Sequence, residues 1–322
     1  MRTIALEEHV VTPEFVAALE RIGSHALANP ALARVRPQLL DVGDGRLAAM
    51  DAAGIDVQVL SLTSFGLEEL DRPTATAVVR DVNDRLADAV RAHPDRLAAF
   101  AALAIDDPTA ASRELERAVT QLHCRGTMID GTTHGLFLDH PKFTPILEAA
   151  ESLRVPIYLH PAPPPAAVQA AYFSDLPDPF GMLLSIAGWG WHAETGLHCL
   201  RLIVSGVFDR FPGLQIIIGH MGENLPFSLA RADSVLSRAP STLRRSVAEY
   251  FHDHFYVTTS GYFTTPPFLC ALSVVGADRL MFSVDYPFST NAQGRAFLDG
   301  LPIAPADRAR IAHANAERLL AL

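Results

Sequence analysis

The chain has 322 residues, 49% hydrophobic and 19% charged, enough to bury a large core. Its formal net charge is −10 with no basic run, which argues against nucleic acid or an anionic membrane surface as a partner. No signal peptide precedes the first strand, no uncharged apolar stretch reaches about 18 residues, and Cys124, Cys199 and Cys270 stand far apart, so a soluble cytoplasmic protein with reduced thiols is expected.

The first apolar run, Thr3-Ile4-Ala5-Leu6, reads as a short buried strand, and Glu7, Glu8 and His9 follow it at once. Side chains of an extended chain alternate between faces, so Glu7 and His9 share one face and Glu8 takes the other. A carboxylate and an imidazole side by side at a strand end are costly to desolvate unless something neutralises them. A divalent metal would do so; solvated charges at an ordinary strand end are the alternative. Helices are predicted over 15–22, over 46–53 with Gly54 as C-cap, over 75–93 stopped by Pro94, and over 107–122, 143–153, 194–208, 227–237, 266–275 and 305–320. Between the first two, residues 23–37 read as a loop over a barrel mouth. Further strands are predicted over 57–62, 97–103, 126–129, 155–160, 214–220, 255–260 and 280–285. Eight strands, apolar on both faces and alternating with helices, predict a parallel sheet closed as a (β/α)8 TIM barrel, a single domain over 1–322. No Gly-rich phosphate fingerprint follows any strand, which weakens a dinucleotide-binding alternative.

In such a barrel, reactive side chains belong where strands end. The first strand ends in Glu7 and His9, the fifth in His160, the sixth in His220 and the eighth in Asp285, so five metal- or proton-competent groups fall on one rim. His252-Asp253-His254 has the better metal spacing, H-x-H, but precedes the seventh strand and so belongs to the opposite, stability face. His25, His93, His123, His134, His140, His198 and His313 fall in helices or loops as surface or satisfied residues. His192 is the exception, in a loop that can border the site.

Several motifs in order carry a resemblance: Ala5-Leu6-Glu7-Glu8-His9, Leu159-His160-Pro161, Gly219-His220-Met221-Gly222-Glu223, Ser283-Val284-Asp285-Tyr286-Pro287-Phe288, residues 201–209, and the closing Asn315-Ala316-Glu317-Arg318-Leu319. Together they resemble the decarboxylase branch of the amidohydrolase superfamily, which includes γ-resorcylate, 2,3-dihydroxybenzoate and 5-carboxyvanillate decarboxylases. The resemblance implies one divalent metal held by Glu7, His9, His160 and Asp285, zinc first, with manganese or magnesium as alternatives. Two imidazoles and two carboxylates suit zinc or manganese. The fourth strand has no lysine and the chain has only Lys142, so the carbamate-bridged two-metal site of hydrolytic relatives is not expected.

The implied reaction is reversible non-oxidative decarboxylation of an ortho-hydroxybenzoate, releasing CO2 and a phenol. Asp285 would be the acid, His220 paired with Glu223 would hold the substrate, Arg231 would grip it from across a dimer interface, and Phe288 would wall the ring. Glu223 reaches back to His220 if the segment turns into a helix there. A metal-dependent hydrolase or hydratase of a lactone or amide is the alternative function. The apolar segment 161–191, inserted after the fifth strand, reads as a lid or a subunit interface, the latter favoured, giving a homodimer or homotetramer. Ser24 and His25 where relatives place an aromatic, and Ser289-Thr290-Asn291 where many have an acid, leave the ring substituents open.

Overall fold

A computed structural model describes residues 1–24, 26, 30–239 and 243–322; His25 therefore lies outside the described residues. Eight strands run in order: β1 (Ile4–Val10), β2 (Val57–Leu62), β3 (Leu97–Ala99), β4 (Thr127–Asp130), β5 (Ile157–His160), β6 (Ile216–Ile218), β7 (Phe255–Thr258) and β8 (Leu280–Met281). They form two parallel ladders, β1-β2-β3 and β4 through β8 in sequence. Single parallel bridges, Ala101 to Thr127 and Glu8 to Tyr286, join the ladders at both seams and close the ring. A closed parallel sheet has no edge strand left unpaired. The (β/α)8 barrel expected from the sequence is the fold observed.

The strands bury both faces, and alternation sorts their side chains into two cores. Ile4, Leu6, Val57, Val59, Ala98, Phe100, Met128, Tyr158, Ile217, Tyr256 and Met281 form the inner one. Ala5, Leu60, Ile129, Leu159, Ile216, Ile218, Val257 and Leu280 face the surrounding helices. The register of β1 on β2 shifts between Ala5 and Glu8. This irregularity changes the parity of β1, so that Glu7 as well as Leu6 reaches the inner side, where Glu7 meets Tyr158.

Three local expectations are corrected. Residues 30–40 are a helix, Pro30–Leu40, not a loop. Pro30 suits a first helical position, and Leu32, Val35 and Leu39 recur at helical spacing and are buried. The eighth strand ends at Met281, not at Asp285. Beyond it the backbone donors leave the ladder: Phe282 donates to the Ile311 carbonyl, Ser283 to the Thr259 hydroxyl and Val284 to the Glu8 carboxylate. Finally, His192 lies in the helix Gly190–Val204, which begins four residues before its predicted start.

After β5 the chain forms two short helices, Ala166–Phe173 and Phe180–Ser185, before the helix Gly190–Val204. Tyr172, Phe180 and Trp189 are 74%, 60% and 56% exposed, a concentration of exposed apolar surface in this segment. Among the described residues, no helix is long and apolar enough to cross a membrane.

Candidate active site

The rim at the carboxyl ends of the strands gathers the groups that the sequence placed there. Glu7 is fully buried, out of reach of solvent. One of its carboxylate oxygens, Oε2, accepts hydrogen bonds from Ser260 Oγ at 2.7 Å and from Tyr158 Oη. The other, Oε1, has no hydrogen-bond partner and lies 3.4 Å from His160 Nε2 and 3.5 Å from His220 Nε2. His9 Nε2 lies 3.3 Å from Asp285 Oδ1, and the His9 and His160 rings meet edge-on at 4.8 Å. Three donor sets result among the described residues: Glu7 with His9 and His160, Glu7 with His220 and Asp285, and His220 with Glu223 and His192. Within each, all donor atoms lie within 4.8 Å of one another. Gly219 makes this approach possible, because a Cβ there would sit 2.4 Å from Glu7 Oε2.

The electrostatics call for a cation. Burial alone would raise the Glu7 carboxyl, but the surrounding imidazoles, His220 foremost, outweigh it and hold the group well below the usual carboxylate range. Burial alone would lower the His160 imidazole, yet Asp130 and Glu7 raise it well above an ordinary histidine. A bare buried carboxylate oxygen ringed by imidazole nitrogens fits a divalent ion of the kind that takes mixed nitrogen and oxygen donors.

His220 and Glu223 form the second part of the site, and the backbone joining them is not the expected helix. His220, Met221, Gly222, Glu223 and Asn224 all have positive φ, 50°, 58°, 89°, 55° and 63°. Left-handed backbone costs roughly 1–2 kcal/mol per residue other than glycine, so four such residues are held there by their surroundings. The tight turn still brings Glu223 Oε1 to 2.7 Å from His220 Nδ1. Burial would lower His220, but Glu7 and Glu223 raise it to about 9. Burial would raise Glu223, but His220 and His192 bring it below the usual range. Asp285 also has positive φ, 70°.

Glu8, on the other face of β1, braces that residue from behind. Its carboxylate accepts from the backbone N–H groups of Val284 at 3.0 Å and Tyr286 at 3.2 Å, on either side of Asp285. Gln58 Nε2 donates to it at 3.3 Å, and buried Arg46 donates to Gln58 and to the His9 carbonyl. Burial is the main reason that the Glu8 carboxyl is pushed up to about 8.

Phe288 stands 5.6 Å from the His9 ring and 6.3 Å from Phe65, an apolar wall beside the cluster. Arg231 is not brought to it: the residue is exposed on the helix Leu225–Leu236. A cavity of about 770 Å³, large enough for a small organic ligand, opens beside the cluster and is lined by Leu62, Ser64, Phe65, Met128, Asp130 and Ala162.

Asp130 was not singled out for the site from the sequence, and His192 was marked only as a residue that can border it. Asp130, the last residue of β4, places Oδ1 3.0 Å from His160 Nδ1. The strand-end rule that selected His160 finds it when applied to β4. His192 is buried with Nδ1 2.6 Å from Glu223 Oε2; a helical histidine carries no local mark of this. The H-x-H pair does lie at the opposite end: His254 closes the helix Val247–His254 just before β7.

Comparison with known proteins agrees with the geometry. The amidohydrolase family matches residues 25–322. A γ-resorcylate decarboxylase of Polaromonas sp. is 36% identical over 330 residues, spanning 99% of this chain and 98% of the relative. A 2,6-dihydroxybenzoate decarboxylase solved in complex with 2,6-dihydroxybenzoate superposes with a TM-score of 0.90 at 36% identity, covering all of both chains. A dihydroxybenzoic acid decarboxylase from Polaromonas sp., solved with manganese and the inhibitor 2-nitroresorcinol, superposes with a TM-score of 0.89 at 35% identity over 100% of this chain and 97% of that one. The chain belongs to the amidohydrolase family, in its decarboxylase branch.

Proposed function

We propose that the protein is a metal-dependent, non-oxidative decarboxylase of an ortho-hydroxybenzoate, a carbon–carbon lyase that releases CO2 and a phenol. The observation that carries this reading is the unpartnered, buried Glu7 Oε1 among imidazoles and beside Asp285. Glu7, His9, His160 and Asp285 would hold one divalent ion. We propose manganese, which a solved relative contains, in place of the zinc expected from the sequence; nothing in the donor set singles out zinc. When bound, the metal would supply Lewis-acid polarisation of the substrate's oxygens.

The chain's own groups then have separate tasks. Asp285 gives a proton to the ring carbon that bears the carboxylate, which interrupts aromaticity. The bond to the carboxylate carbon breaks next, its electron pair restores the ring, CO2 leaves, and solvent returns the proton to Asp285. His220, held at Nδ1 by Glu223, turns Nε2 toward Glu7 and Asp285, where it hydrogen-bonds a ring hydroxyl. Phe288 and Phe65 exclude water from one side of the ring. Reversal in concentrated bicarbonate is part of the proposal.

We read residues 1–322 as one domain that acts in the cytoplasm as a homodimer or homotetramer. The exposed apolar side chains of 161–191 support a second copy as partner, and exposed Arg231 would grip a substrate from a neighbouring protomer in such an assembly. The test is a panel assay of manganese-loaded protein by HPLC with CO2 detection. It would hold salicylate, 2,3-, 2,4- and 2,6-dihydroxybenzoate, a carboxyvanillate, lactones and anilides. Chelator-sensitive loss of CO2 from one ortho-hydroxybenzoate is expected. Hydrolysis of a lactone or anilide with every benzoate untouched would overturn the reading in favour of a hydrolase.

A further inference from the structure

His192 belongs to the segment that follows the exposed apolar stretch, yet it is buried and both its ring nitrogens are engaged. Nδ1 lies 2.6 Å from Glu223 Oε2, and Nε2 lies 3.1 Å from the Ala187 carbonyl. Its ring also packs 5.1 Å from His220 and 5.3 Å edge-on from Tyr262, so the imidazole has no freedom to turn away. Glu223 thus has one carboxylate oxygen on each of two imidazoles: Oε2 on His192 and Oε1 on His220 at 2.7 Å.

A carboxylate hydrogen-bonded at one oxygen alone can rotate about its last two side-chain torsions and present either oxygen, whereas one held at both is fixed. Fixing Glu223 fixes the direction of the His220 Nδ1–H bond, and hence where His220 Nε2 points. The 2.6 and 2.7 Å separations are those of strong charge-assisted hydrogen bonds, so the three groups are a relay rather than a second ion site.

We propose that His192 is a positioning residue for the reaction: by clamping Glu223 it sets the orientation of His220, and through Ala187 it ties that setting to the apolar segment after β5. The proposal rests on the decarboxylase reading only for its kinetic readout; the hydrogen-bond geometry stands apart from it. Its two contacts can be separated by substitution. Asparagine places an amide nitrogen where Nδ1 stands and keeps a donor for Glu223. Glutamine places one where Nε2 stands and keeps only the Ala187 contact.

The experiment compares His192→Asn and His192→Gln, with melting curves and metal content measured on each. We expect His192→Asn to keep kcat within about threefold of the parent. His192→Gln should lower kcat by about 10- to 100-fold, the usual cost of losing a partner behind an active-site group, with KM changed less than about threefold. In a Glu223→Gln background the His192→Gln effect should vanish, since His192 acts only through Glu223. Equal activity of the two variants, the reverse order, or additive losses in the double variant would overturn the proposal. If His192→Gln does not fold, His192→Asn alone still decides, because a tenfold loss there is incompatible with a clamp that needs only the Glu223 donor.

Failure of the decarboxylase reading would show as a parent protein that releases no CO2 from any benzoate. In that case ¹⁵N-histidine NMR reads the proposal directly. The hydrogen-bonded Nδ1–H signal of His220 should persist in His192→Asn and shift or broaden in His192→Gln. An unchanged signal in both variants would overturn it.

Discussion

The barrel has two histidine-rich ends, and they put the same residue type to different uses. At the amino-terminal end, His254 is satisfied: its Nδ1 donates to the Leu214 carbonyl at 2.9 Å, Arg245 donates to its Nε2 at 2.9 Å, and its ring stacks on Phe208 at 4.3 Å. Burial lowers its proton affinity and nothing nearby reverses that. Its neighbour His252 is exposed and pairs with Asp253. At the carboxyl-terminal end, Glu7 keeps a bare oxygen, and His160 and His220 are raised by carboxylates that burial cannot silence. Spacing favours the first end as a metal site; the incompleteness of hydrogen bonding favours the second. A buried polar atom left without a partner is the better sign of a missing ligand.

The sharpest way to break this contrast is at Asp285. Asp285→Asn should lower kcat by about 10²- to 10⁴-fold, the range for loss of a general acid. Metal analysis should still find close to one ion per chain, held by the other three donors. Wild-type turnover in that variant would remove Asp285 as the acid.

A smaller effect is expected at Gly219. The added methyl group of Gly219→Ala would stand 2.4 Å from Glu7 Oε2 and 2.8 Å from Ser260 Oγ, and must push the carboxylate aside. Metal affinity, read by competition with a chelating dye, should fall about 10- to 100-fold. Unchanged affinity would mean that Glu7 is not a ligand.

The pH dependence of stability probes a histidine that belongs to neither end. His198 Nε2 accepts the Leu138 N–H at 2.8 Å, and burial, assisted by Arg201, pushes its pKa from 6.5 down to about 3. The unfolded chain therefore binds a proton that the folded one refuses. The stabilisation is fully present above pH 6.5 and is lost as the pH falls toward 3, with a slope approaching about 1.4 kcal/mol per pH unit. Urea midpoints of the parent and of His198→Gln, which keeps an acceptor but does not titrate, should diverge between pH 7.5 and 5.5. Parallel curves would refute the assignment.

The smallest effects belong to the amino-terminal pair. His252→Ala should leave kcat and stability unchanged within error. His254→Leu should cost about 1–3 kcal/mol of stability, by orphaning the Leu214 carbonyl and the Arg245 donor, with kcat intact. A loss of metal or of turnover in either variant would erase the distinction between the two ends.

Much of the site was legible because barrel chemistry concentrates at strand ends, and a strand end is visible as the place where an apolar run meets a charge. Glu7, His9, His160 and His220 were found in that way, and each stands on the rim. Asp285 was found for a partly wrong reason, since it lies beyond the strand in a loop held by Glu8. Asp130 was passed over as a site residue; His192 was marked only as able to border the site, and its contact with Glu223 went unforeseen because a histidine in a helix looks the same whether it faces solvent or a catalytic carboxylate. The helix Pro30–Leu40 was missed because two prolines masked its apolar spacing.

What the amino-acid order determined by itself is the periodic part: eight apolar runs, their alternation with helices, and the charges that end them, all set by interactions between residues near in sequence. The tertiary structure alone decided the contacts between distant ones. Glu8 grips the Val284 N–H across 276 positions and His192 meets Glu223 across 31. Consecutive residues of the His220–Glu223 turn are held left-handed against their own preference. Such contacts arise only when the ring closes and brings separate strand ends together, because no local preference favours them and several oppose them.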